Sequence, residues 1–104
     1  MSLKNLDAHE VAQLLKQDAI VLIDVREPYE FRAERIAGAI SLPLSIFSVR
    51  ALPASNGRSI VFQCASGGRS ARAVMACQKA GLPHDSHLKG GILAWRAAGL
   101  PVER

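Results

Sequence analysis

No apolar run in this sequence approaches the roughly 20 residues that cross a bilayer, so a membrane-spanning protein is not expected. The start, Met1-Ser2-Leu3-Lys4-Asn5, lacks the charged-then-apolar pattern of a secretory signal, which predicts a cytoplasmic chain. Met1, Ser2 and Leu3 read equally well as an appended leader, in which case the natural start, and any segment upstream of it, is hidden from view. Aromatic residues make up only 5% of the chain, and the net charge of +4 comes from nine arginines and four lysines that are dispersed rather than clustered. Without a basic cluster or interleaved aromatics, nucleic acid is not the expected partner; small anions drawn to a basic cleft are. His9, His84 and His87 have no spacing that suggests a base or a metal ligand, and solvent or packing is the reading for each. No group of His, Cys, Asp and Glu has metal-ligand spacing, so neither metal nor cofactor is expected. There is no internal repeat and no low-complexity tract.

What is present fits one α/β domain. At 104 residues and 49% hydrophobic composition the chain can bury well over half of its unfolded surface in one core. A short strand around residues 3–5 is followed by a helix that Asp7 opens, with Glu10 three residues on in the capping-box position. Residues 19–23 are continuously apolar and β-branched, which predicts a central strand buried on both faces. Pro28 suits the first turn of a short helix reaching about Glu34. A strand over 36–42 and a helical segment over 44–52 are expected next, then a strand over 59–63, a helix over 70–80, a strand over 86–88 and a last helix through Ala98. Alternating strands and helices predict a mostly parallel central sheet with helices on both faces, and ligands in such folds bind beyond the carboxyl ends of the strands.

The stretch around which the chain is organised lies at one of those ends: Cys64, Ala65, Ser66, Gly67, Gly68 and Arg69, with Ser70 behind them. A cysteine at a strand-to-helix turn meets the unpartnered N–H groups of the helix start. Two glycines let successive amides point into one concavity, and Arg69 adds a permanent charge. All three favour thiolate, so Cys64 reads as a nucleophile active near neutral pH. The plainer reading is a small apolar filler in a glycine-rich turn. Cys77 lies thirteen residues on, inside the next helix and about 10 Å or more away, too far for a disulfide. It reads as buried filler, with a resolving thiol as the alternative.

Four ordered stretches carry a family resemblance. They are 22–31, reading LIDVREPYEF; 36–40, IAGAI, with Leu42-Pro43; the loop 64–69; and 88–95, LKGGILAW, followed by 98–102, AGLPV. In these the chain resembles a single rhodanese domain, the sulfurtransferase fold, over nearly all of its length. The resemblance implies that the Cys64 thiolate takes a sulfane sulfur from a donor such as thiosulfate and holds it as a persulfide. Cyanide or a thiol then removes it, in ping-pong fashion. It assigns the 65–70 amides (Ala65, Ser66, Gly67, Gly68, Arg69 and Ser70) to stabilising the anion, and Arg69 to fixing the loop or binding donor oxygens. Asp24 and Arg26 are candidate braces of the loop, with a simple ion pair or strand-end cap as the alternative.

Rhodanese-fold phosphatases are expected to carry one residue more between cysteine and arginine than the four here, and tyrosine phosphatases a histidine where this chain has Gln63. A phosphatase or arsenate reductase is therefore the weaker expectation. A sulfur-carrying module that docks on a relay protein is the other alternative. Many relatives have Gly-His where this chain has Glu34-Arg35, which leaves Arg35 either an anion-binding group at the cleft mouth or a solvated surface residue. Arg72 reads as a solvated helix residue and Trp95 as core or lid packing rather than a substrate platform.

Overall fold

Five short segments pair edge to edge into one sheet in a computed structural model that describes residues 2–104. Met1, grouped above with Ser2 and Leu3 as a leader, lies outside the described residues. The strands are β1 (Lys4–Leu6), β2 (Ile20–Asp24), β3 (Ile40–Ser41), β4 (Ser59–Gln63) and β5 (Ser86–Leu88), in the spatial order β1-β5-β4-β2-β3. Every pairing between them is parallel. Parallel strands need crossovers: α1 (Ala8–Lys16) links β1 to β2, α2 (Pro28–Ala33) lies between β2 and β3, and α3 (Gly68–Lys79) links β4 to β5, while α4 (Gly91–Ala97) follows the last strand.

Strand alternation splits the interior into two cores. Leu6, Ile20, Leu22, Val61 and Leu88 pack on one face with Val11 of α1 and Ile92 and Trp95 of α4. Val21, Ile23, Ile60, Phe62 and Cys64 pack on the other with Ala73, Val74 and Cys77 of α3. Trp95 is core packing, as its apolar surroundings predict, and its indole N–H donates to the Pro101 carbonyl at 2.8 Å. The capping box of α1 forms as the sequence implies: the Glu10 amide donates to Asp7 Oδ1 at 2.8 Å, and the Asp7 amide to Glu10 Oε1 at 3.1 Å.

The segment between β2 and β4 departs from expectation. Only Ile40–Ser41 of the strand expected over 36–42 pairs, and the helix expected over 44–52 is two 3-10 turns, Leu44–Ile46 and Val49–Ala51. Phe47 and Ser48 between them are extended. Packing overrides local helical preference here. Leu44, Phe47, Val49 and Leu52 all pack against the α3-side core, a spacing that no single α-helix would turn to one face. The Phe47 ring meets Phe62 edge-on with centroids 5.9 Å apart.

Candidate active site

Cys64 follows β4 directly, and the chain from it to Ser70 curls around its own sulfur. Gly67, at φ 115°, is the N-cap of α3 in a left-handed conformation that side chains rarely adopt. The curl aims amides inward: Gly67 N–H donates to Cys64 Sγ at 3.1 Å and Ser70 N–H at 3.4 Å. Carbonyls are held outward by α4, whose first free amides take them. Ile92 N–H donates to the Cys64 carbonyl at 2.9 Å and Leu93 N–H to that of Ala65 at 3.1 Å. This contact is close enough to demand Gly91, since a Cβ there would lie 2.2 Å from the Cys64 carbonyl oxygen. Gly91, the first residue of α4, thus serves the cysteine loop as well as its own helix.

The cysteine is only 1% exposed. Burial pushes its thiol pKa up, but the Ser70 hydroxyl and the amides of Ser70, Gly67 and Ser66 outweigh burial and hold Cys64 below the ordinary thiol value. Cys77, in the last turn of α3, is equally buried, and burial alone pushes its pKa up. Both cysteines are free thiols.

Arg69 turns its fork to α2 rather than leaving it open: Nη1 and Nη2 bond Glu30 Oε1 and Oε2 at 2.6 and 3.0 Å. Hydrogen bonding from Arg69 holds the Glu30 carboxyl below the usual range despite its partial burial. The pair ties the start of α3 to α2. Asp24 and Arg26 form a buried bidentate pair at the end of β2, with Arg26 Nη2 also donating to the Glu34 carbonyl at 2.7 Å. Their side chains hydrogen-bond to one another, to the Arg26 amide and to the Glu34 carbonyl, and none of these bonds reaches the 64–70 loop. Arg35 is taken up by the C-terminus: its backbone pairs with that of Glu103, its Nε lies 3.6 Å from Glu103 Oε1, and its guanidinium lies over the Phe31 ring. Gln63 is fully buried, and strand alternation sends it to the sheet face opposite Cys64, beside Asp24 in register.

Sequence reasoning missed two residues, His87 and Asn5. His87 is buried, with Nδ1 2.7 Å from Ser70 Oγ and Nε2 2.7 Å from Asn5 Oδ1, and Ser70 Oγ lies 3.6 Å from Cys64 Sγ. A signal existed in the sequence, a polar residue at the centre of a short core strand, but its partners are 17 and 82 residues away.

Among the described residues no group of three or more His, Cys, Asp and Glu could hold a metal ion, and no helix is long and apolar enough to cross a membrane.

Comparison with known proteins places this geometry among its relatives. The sequence model of the rhodanese-like domain matches residues 7–98. An uncharacterised protein of Synechocystis, slr1261, is 48% identical over 90 residues, covering 86% of this chain and 50% of its own length. The chain therefore spans about half of that relative. A sulfurtransferase of Allochromatium vinosum is 32% identical over 98 residues, covering 93% of this chain and 92% of its own. Among solved structures, a rhodanese-related protein of Thermoplasma volcanium superposes with a TM-score of 0.81 at 31% identity, over 96% of this chain and 97% of its own.

Proposed function

The chain belongs to the rhodanese-like domain family, and from that premise we propose that it is a cytoplasmic sulfurtransferase in which Cys64 carries a sulfane sulfur as a persulfide. The observation that carries this reading is the convergence of the Gly67 and Ser70 amides on Cys64 Sγ at 3.1 and 3.4 Å, in a loop whose amides hold the thiol pKa low. A thiolate held there attacks the outer sulfur of thiosulfate. The Cys64 S–S bond forms as the donor's S–S bond breaks, and sulfite leaves with the bonding electron pair. The persulfide keeps one negative charge, and the same amides stabilise it. Cyanide or a thiolate then attacks the outer sulfur, leaving as thiocyanate or as a new persulfide, and Cys64 returns to thiolate. Two half-reactions through one covalent intermediate give ping-pong kinetics.

Of the loop residues, Ala65, Ser66, Gly67, Gly68 and Ser70 serve as the anion hole, and Arg69 serves it through the Glu30 tie. Asp24, Arg26 and Arg35 act at a distance by holding α2 and its flanks. The four residues between cysteine and arginine support sulfur over phosphate as cargo. No cofactor is needed by this chemistry.

The test is intact-protein mass spectrometry after incubation with thiosulfate, then with cyanide, on wild type and Cys64→Ser. Gain of one sulfur by wild type alone, lost to cyanide as thiocyanate, is the expected result. No gain, although Cys64 alkylates rapidly near neutral pH, would replace this reading by that of a carrier loaded from a relay protein's persulfide.

A further inference from the structure

A Cys64 thiol must give up its proton before it can attack a sulfur donor. Cys64 is 1% exposed, and the thiolate must form there with few waters beside it. The hydrogen bonds around Ser70 supply an acceptor. Asn5 Oδ1 can only accept, so at 2.7 Å it assigns the hydrogen of neutral His87 to Nε2 and leaves the Nδ1 lone pair facing Ser70 Oγ, also at 2.7 Å. Ser70 has one hydroxyl hydrogen and three acceptors in reach: Gly67 O at 3.1 Å, His87 Nδ1, and Cys64 Sγ at 3.6 Å when it is ionised. When Cys64 is a thiol, its S–H donates to Ser70 Oγ and the hydroxyl donates to His87 Nδ1, a continuous line from sulfur to imidazole.

Resting on Cys64 as the sulfur-carrying nucleophile, we propose that His87 is a positioning residue that receives the Cys64 proton through Ser70. The S–H bond breaks as a new O–H bond forms at Ser70, while the original Ser70 hydrogen moves to His87 Nδ1. The products are a thiolate and an imidazolium, and Ser70 is unchanged. The hydroxyl hydrogen then donates to sulfur, and Nδ1–H donates to Ser70 Oγ. His87 keeps the proton while the persulfide forms and discharges, so a positive charge faces the buried anion through the whole cycle.

The surroundings of the imidazole fit this exchange. Asn5 faces it from β1 and Ser70 from α3, and a Cβ at Gly67 would lie 3.6 Å from its Cε1. None of these carries charge, and the one titratable group joined to it through hydrogen bonds is Cys64. Burial alone lowers the His87 pKa, so imidazolium is disfavoured until a thiolate forms beside it, and the two groups titrate as a pair. Coupling of this kind is reciprocal: whatever thiolate does for imidazolium, imidazolium does for thiolate.

The test reads that reciprocity in the intact protein. Imidazole nitrogen NMR across pH, on wild type before and after carbamidomethylation of Cys64, is expected to show the His87 midpoint falling once the thiolate is removed. His87→Asn keeps a polar atom near Ser70 but cannot take a proton, so Cys64 alkylation near pH 7 should slow about tenfold and its pH profile move upward. An unchanged His87 midpoint, or an Asn variant with the wild-type profile, would overturn the relay and leave His87 as packing. If His87→Asn does not fold, the wild-type NMR titration decides alone. Failure of wild type to gain sulfur from thiosulfate would strike the proposed function instead, since alkylation and imidazole titration need no sulfur donor.

Discussion

Cys64 and Cys77 offer a comparison that separates burial from its electrostatic surroundings. Both are free, 1% and 0% exposed, on the same side of the sheet and in the same apolar core. Burial raises the pKa of each. Only at Cys64 do amides from the start of α3 and the Ser70 hydroxyl outweigh it; Cys77, well inside the same helix, meets amides already bonded within the helix. A helix offers free N–H groups at its first turn and nowhere else, so thirteen residues of chain convert a nucleophile site into filler. The lesson is that burial protects a thiolate when donors surround it and suppresses one when they do not.

The largest expected effect breaks this contrast outright. Cys64→Ser should lower thiosulfate-dependent sulfur transfer by at least about a thousandfold, whereas Cys77→Ser should leave it near wild type. Loss of transfer in the Cys77 variant with its fold intact would make Cys77 a resolving thiol and overturn its assignment as filler. Next comes Gly91→Ala, which puts a methyl group into the Cys64 and Ala65 carbonyls and strains a residue at φ 59°. It should cost about 1–3 kcal/mol in urea unfolding and slow Cys64 alkylation about tenfold by turning the loop amides off the sulfur. Unfolding-independent alkylation of Cys77 should not change, and equal slowing at both cysteines would show a global rather than a loop effect.

What the sequence revealed of this site is what lies close together in it. Cys64 to Ser70, the Asp7 capping box and the strand over 86–88 are each decided by neighbours a few residues away, and each appears where expected. The five-stranded parallel sheet follows from the alternation of elements. Three features of the site's surroundings were not legible. Arg69 meets Glu30 across 39 residues, and His87 meets Asn5 across 82 because β5 lies beside β1. Arg35 meets Glu103 only because the C-terminus returns to the end of α2. The stretch from Leu44 to Leu52 is two 3-10 turns instead of a helix for a related reason: Phe47 and Leu52 answer to a core formed mainly by β2, β4 and α3, not to helical periodicity.

A smaller effect appears in stability against pH, with opposite signs at the two thiols. The folded pKa of Cys64 is lowered from the ordinary 9.0, so between that folded value and about pH 9 the unfolded chain binds more protons and stability rises with pH. That contribution is complete above about pH 9 and is lost as pH falls through the folded value. Cys77 is raised from 9.0, so its contribution is present below about pH 9 and lost as pH climbs toward its folded value. Urea midpoints across this range should therefore flatten on the rising side in Cys64→Ala and on the falling side in Cys77→Ala. The same direction of change in both variants would mean that the amides do not distinguish the two thiols.

The smallest expected effect asks whether Arg69 belongs to the thiolate or to α2. Its fork is engaged by Glu30 with side chains 31% and 20% exposed, a partly solvated pair worth about 1 kcal/mol or less. Arg69→Lys keeps the charge and loses the fork, so it should cost a few tenths of a kcal/mol and slow Cys64 alkylation by roughly twofold as the loop loosens. Glu30→Gln has the opposite sign at the sulfur: it leaves the guanidinium charge without its counterion, so alkylation near neutral pH should quicken by roughly twofold while stability still falls. Rate and stability moving in opposite directions is the signature of a charge shared between Glu30 and the thiolate. If instead Arg69→Lys abolishes sulfur gain from thiosulfate while alkylation is little changed, Arg69 meets the donor's oxygens directly, and the Glu30 tie is a resting state that the donor opens.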